Sequence, residues 1–218
     1  EVVDPTGVAD SGVPLRLEPW EPSYPAPTYR PDKVTDQRPD WAIDFDMLVA
    51  AQSQPWEATE ETDALIDVAR NWTTGSNGAA RAVAVDGDVA TAVGASCAQA
   101  GHGGAEVATV DVATALSELA WAAASGGAYG RRSGLGFGRS TAWWVVAVLA
   151  GVSDDWPVEG ELLHEAAAEL DWAIWRPVGQ PSGWWCRLAA HDPVDHLAWA
   201  LDATDHTDDP VDDPTGDA

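Results

Sequence analysis

The sequence predicts an α+β protein: one mostly helical domain with two β-hairpins, an extended proline-rich arm before it and an acidic disordered tail after it. Three observations carry that prediction. Several stretches place apolar residues at helical spacing behind capping residues. Two others pair strand-like runs across a turn. The first 40 and the last 14 residues do neither.

The arm, residues 1–40, is interrupted by Pro14, Pro19, Pro22, Pro25, Pro27, Pro31 and Pro39, which leaves polyproline-like extended chain as the expected conformation. Its aromatic residues Trp20, Tyr24 and Tyr29 are the candidate contacts through which it lies along a partner or its own domain. The tail, residues 205–218, carries six aspartates and no base, too little apolar surface to offset the entropy of ordering. Residues 41–204 form the predicted globular domain.

Within that domain the elements follow in order. Residues 41–52 place Ile43, Met47 and Ala50 or Ala51 at helical spacing, and a second helix begins behind Thr59 with Leu65, Ile66 and Ala69 on one side. Residues 81–93 alternate Val83, Val85, Val89, Thr91 and Val93 about Asp86-Gly87, the chemistry of a tight hairpin. Asp111 caps a helix bearing Leu116, Leu119 and Ala120, which Gly126-Gly127 ends. Asp155 and Pro157 open another, running to about Leu170. Residues 172–190, rich in aromatic and branched residues on either side of a Gly/Pro turn, read as the second hairpin. Asp192-Pro193 then opens a last helix to Ala203, with Val194, Leu197, Ala198 and Leu201 on one face.

One segment stands apart. Residues 126–139 hold six glycines and three arginines, Arg131, Arg132 and Arg139. As a loop they would offer backbone amides and guanidinium groups to an anion. The glycine spacing fits neither a dinucleotide fingerprint nor a phosphate-binding loop with Lys-Ser/Thr. As a helix they place Gly130, Gly134, Phe137, Thr141 and Trp144 on one small stripe, with Arg132, Arg139 and Trp143 opposite, and this is the expected form. The small stripe then admits a neighbouring helix, and the arginines face acids of the same protein or a ligand.

Charge narrows the function classes. With 36 acidic and 11 basic side chains the formal charge is −25, and acids run along the whole chain. Such a field disfavours direct contact with nucleic acid or anionic membrane surfaces, and it fits solubility, salt adaptation or a protein partner with a basic surface. The longest apolar run, residues 141–151, is well short of the roughly 20 residues that span a bilayer. Lys33 is the only lysine, and Ala, Gly, Val, Asp and Trp abound, a bias of GC-rich coding. Two isolated cysteines, Cys97 and Cys186, fit a reduced, cytoplasmic setting in which both are buried.

Conventional chemistry is hard to assemble from spacing. His191, Asp192, Asp195 and His196 could ligate a metal, yet on the predicted helix the histidines diverge. Cys97 and His102 offer a thiol and a base without a third group. Glu165 and Glu169 beside His164 read as a solvated helix face. No metal site, cofactor or catalytic residue is assigned.

The segments "SGGAYGRRSGLGFGRSTAWW" and "LAWALDATD" resemble an uncharacterised family of unknown function from high-GC actinobacteria, over about Arg81 to Asp205. That resemblance implies a cytoplasmic actinobacterial protein and brings no site residues. Two function classes remain. One is a non-enzymatic protein-interaction module with an acidic surface. The other is a domain or enzyme that holds a small phosphate or carboxylate with Arg131, Arg132 and Arg139, aided by Tyr129 or Trp143.

Overall fold

The structure, a computed structural model, describes residues 12–29, 43–179 and 183–206. The predicted disorder of residues 207–218 and the extended form of residues 1–11 and 30–40 lie outside these. The fold is α+β, but the expected mostly helical body is corrected: a six-stranded, wholly antiparallel sheet forms its middle.

The elements are β1 (Met47–Ala50), α1 (Glu60–Val68), α2 (Arg70–Gly75), β2 (Ala79–Asp86), α3 (Val89–Ala100), β3 (Gly104–Val110), α4 (Val112–Ala124), α5 (Leu135–Leu149), α6 (Gly160–Ala168), β4 (Asp171–Pro177), β5 (Trp184–Asp192) and β6 (Leu197–Asp205). The strands lie in the order β1-β3-β4-β5-β6-β2. Helix α3 covers one face over Val83, Val85, Val107, Trp175, Ala173, Ala189, Ala198 and Ala200. Helices α1 and α4 cover the other, over Ile174, Leu188, Leu201 and Trp199. Helix α5 packs mainly on α4 and α1, so it forms an outer layer. Helix α4 is accordingly buried from Ala115 through Ala124.

Several expected elements hold. Thr59 caps α1 through a reciprocal capping box with Thr62, and Asp111 caps α4 by accepting from the Thr114 amide at 2.8 Å. Strands β4 and β5 pair as the expected second hairpin. Both cysteines are buried and neither forms a disulfide.

Three elements differ, each for a physical reason. Residues 47–50 are an edge strand rather than part of a helix: Met47 and Val49 point toward α3, while Leu48 points out. The hairpin about Asp86-Gly87 is a strand running into a helix. Gly87 has φ +144, and Asp88 then caps α3, accepting from both the amide and the hydroxyl of Thr91 at 2.9 and 2.7 Å. The last predicted helix is strand β6. Asp192 accepts from the amides of Val194 and Asp195, closing a turn in which His196 takes φ +57. Beyond it Ala198, Ala200 and Asp202 face α3 while Trp199, Leu201 and Ala203 face α4, and a strand buried on both sides has no period-two signature to betray it. The helix expected from Asp155 begins later, at Gly160, after a single 3₁₀ turn at Ser153–Asp155. The boundary at 204/205 also shifts, because Asp205 ends β6 fully buried and accepts from the Ala128 amide at 2.6 Å.

The glycine-arginine segment is half loop and half helix. Residues 126–134 are irregular, and Gly134, at φ +86, is the N-cap residue of α5. A Cβ on Gly134 would meet nothing within 4 Å, so the close-packed role expected of it falls to Gly138. There a Cβ would lie 2.2 Å from the Ala120 carbonyl and 2.8 Å from the Ala124 Cβ. Gly138→Val is therefore expected to cost about 3 kcal/mol or more by prising α5 from α4. Gly134→Ala should cost about 1 to 2 kcal/mol from backbone strain alone. Urea unfolding of the two variants checks the ranking, and equal losses would refute it.

Candidate functional site

Residues 12–29 run over α5 and α6 and end beside the loop after α4, and one carboxylate organises their contact. Glu21, whose side chain is 0% exposed, accepts from Arg139 Nε and Nη2 at 2.7 and 2.6 Å, from Trp143 Nε1 at 2.7 Å and from the Tyr24 hydroxyl at 2.6 Å. The Glu18 amide adds a fifth donor at 2.8 Å. Arg139, 10% exposed, also donates to the carbonyls of Pro14 and Arg16. Its planar fork suits this bidentate arrangement, which a lysine could not reproduce.

Aromatic packing flanks the pair. Trp20 stacks between Trp143, at 5.5 Å between ring centroids, and His164 of α6, at 4.9 Å and 7°. His164 thus lies against the arm rather than on a solvated face. Farther along, the Tyr29 hydroxyl accepts from the Gly126 amide at 2.7 Å, its ring lies 5.0 Å from Trp184, and Arg132 sits 4.5 Å above it. Trp20, Tyr24, Arg139 and Trp143 are therefore brought together around Glu21, and Tyr29 and Arg132 meet each other at a second contact. Arg131 and Tyr129 are exposed and stand outside, the Tyr129 amide donating to Ser76. Glu21 was missed by sequence reasoning, although a carboxylate between Trp20 and Tyr24 is the signal that could have found it.

The electrostatics agree with the geometry. Burial pushes the Glu21 carboxyl upward, but hydrogen bonds from Arg139, Tyr24, the Glu18 amide and Trp143 outweigh it and hold the group below its ordinary value. Burial and the neighbouring Glu21 carboxylate both push the Tyr24 phenol up, so it stays a donor.

Outside the arm, α5 and α1 border an open cleft of about 300 Å³ with Trp156. Phe137, Thr141 and Trp144 lie at i, i+4 and i+7 along α5, Asp67 and Arg70 face them, and Trp144 meets Trp156 edge-on at 5.3 Å. Phe137 is 53% exposed.

On the α3 face a buried pair lies within the sheet. Arg187, 2% exposed, donates from Nε to Asp202 at 2.7 Å between the rings of Trp175 and Trp185, and His102 Nε2 stands 3.6 Å from Asp202. Asp202 is the third group that spacing could not supply for Cys97 and His102. Yet burial, with Asp202 adding, pushes the Cys97 thiol up to about 11, the environment of an inert buried cysteine rather than a nucleophile. His191 pairs with Asp171 at 2.9 Å, and Asp192 is engaged in its turn. Among the described residues no cluster of three or more His, Cys, Asp or Glu could hold a metal ion, and no helix is long and apolar enough to cross a membrane.

A family model matches residues 11–207, spanning the arm, α5 and the whole sheet. The chain belongs to the DUF6183 family of unknown function. No curated protein and no solved structure matches it. The resemblance read over residues 81–205 is thus widened to the whole domain, and the arm carrying Glu21 lies inside the span of DUF6183.

Glu21→Gln should lower stability by roughly 1.5 to 3 kcal/mol at neutral pH, because it removes the charge from a buried charge-assisted network. A carboxyl lowered on folding stabilises fully above its unfolded value, and that contribution fades as pH falls through the folded one. Thermal melts should show a gap between wild type and Glu21→Gln at pH 7 that narrows below the ordinary glutamate range. A gap that persists in acid would exclude an ionic clasp.

Proposed function

We propose that the chain is a non-enzymatic protein-interaction module of acidic surface that receives a partner polypeptide in the cleft between α1 and α5. The observation that carries this reading is the state of Arg139. It is the arginine a small-anion site would need most, and the chain's own Glu21 and two arm carbonyls already occupy it. A free phosphate or carboxylate would have to displace an intramolecular ligand tethered at high effective concentration. The aromatic cleft beside it faces solvent with Phe137 half exposed, as interaction surfaces do.

The partner's surface is proposed to be basic, in keeping with the −25 formal charge. Nucleic acid and membrane surfaces are disfavoured for the same reason. The two buried, unbridged cysteines and the GC-rich composition support a cytoplasmic actinobacterial setting as part of the proposal.

A photoreactive phenylalanine analogue at position 137 tests it, with position 48 as an exposed control at the sheet edge. Cross-linked adducts from position 137 and not from 48 are expected. Equal adducts at both, or none at 137, would overturn the cleft as an interaction site. In parallel, at constant ionic strength, phosphate and small carboxylates should leave the wild-type melting midpoint unchanged, and a rise abolished by Arg139→Ala would favour the small-anion alternative.

A further inference from the structure

Three times among the described residues one arrangement recurs: an arginine laid over an aromatic ring and bonded to a carboxylate. Arg139 lies 5.2 Å from the Trp143 ring and pairs with Glu21. Arg176 lies 4.1 Å from the Phe45 ring and pairs with Glu106 at 2.6 Å. Arg187 lies over Trp175 and Trp185 and pairs with Asp202. The combination holds the planar ion by ring quadrupole and by a charge-assisted hydrogen bond, bidentate at Arg139.

The α1/α5 cleft holds rings and a carboxylate, but its own arginine, Arg70, bonds the carboxylate without lying over a ring. Phe137, Trp144 and Trp156 supply rings and Asp67 supplies the carboxylate. Among the described residues no arginine lies over any of these three rings. Arg70 donates to both oxygens of Asp67, at 3.1 and 2.5 Å, but along the helix surface, where both side chains are half or more exposed and solvent screens the pair, so Asp67 can exchange this guanidinium for another, unlike the buried Glu21. Asp154 and Asp155, both exposed, immediately precede Trp156. We infer that the cleft recognises an arginine side chain of the partner, which lies on the aromatic wall and pairs with Asp67 to complete a fourth copy of this arrangement.

This inference rests on the interaction-module reading and specifies its partner's chemistry. Selection of arginine over lysine follows from the planar ion, which stacks and forks where an ammonium cannot. The acidic surface raises the encounter rate of any basic segment, but only the cleft distinguishes the two cations.

The test is calorimetric titration of the full chain, at low and at physiological salt, with three capped peptides of alternating glycine and arginine, glycine and lysine, or glycine and citrulline. The arginine peptide should bind more tightly than the lysine peptide by about fivefold, and the citrulline peptide should not bind. Phe137→Ser and Asp67→Asn change exposed side chains, so the variants should fold, and each should weaken arginine-peptide binding by about fivefold or more. Glu165→Gln, an exposed carboxylate on α6, should leave it unchanged. Arginine binding that is equal in wild type and both cleft variants would reveal only the general acidic field and overturn the inference. Absence of binding, or equal affinity for lysine, would overturn it as well. A partner cross-linked from position 137 whose binding does not need arginine would sink this inference while leaving the module reading intact. Failure of the cross-link itself would remove both.

Discussion

A single buried carboxylate, Glu21, decides whether the outer layer of this fold is tenable. Helix α5 packs mainly on α4 and α1, so its inner side rests on them while its outer side carries Arg139 and Trp143. A guanidinium at that depth cannot remain without a partner, because an uncompensated buried charge costs several kcal/mol. The partner comes from 118 residues earlier in the chain. Residues 12–29 therefore pack against α5 and α6, and the family match, which starts at residue 11, includes them.

The same logic runs through the interior. With only 11 basic side chains, the chain buries arginines where rings and carboxylates satisfy them together, and tryptophan supplies most of the rings. Trp72, Trp121 and Trp184 form a second aromatic cluster between α4 and the sheet, with Trp72 Nε1 held by Ser125 and the Ala122 carbonyl. Large flat side chains fill the spaces that alanine-rich helices leave. In that respect α3 and α4 can be lined with alanine and glycine because their neighbours carry the volume.

How much of this was legible in the sequence depended on whether the deciding interaction was local. The caps at Thr59 and Asp111 and the hairpin at residues 172–190 were legible, because each is settled within a few residues. Strand β6 was not, since its Asp-Pro start serves a helix or a turn equally well and its apolar run is buried on both faces. Asp86-Gly87 misled because the cap formed by the next residue, Asp88 with Thr91, outweighed the turn it resembles. For the candidate site, Arg139, Trp143 and the arm aromatics could be singled out by type. Their union through Glu21 is a contact between distant segments that no spacing records. Gly134 and Gly138 lie four residues apart, yet one meets open space and the other a helix backbone, a difference that only packing decides.

The distribution of charge gives the acidity its meaning. Arg139 and Arg187 are neutralised in the interior by Glu21 and Asp202, so these pairs cancel and add nothing to the −25 balance. Surface carboxylates at that density repel one another and weaken the compact state, a strain that salt relieves by screening. The same screening weakens attraction to a basic partner. Stability and association thus respond to salt in opposite directions, and a chain adapted only for solubility has no use for the second response. The exposed rings of the cleft matter for this reason: they provide contact that screening does not remove, so a partner held there by stacking retains its seat when the long-range field has faded.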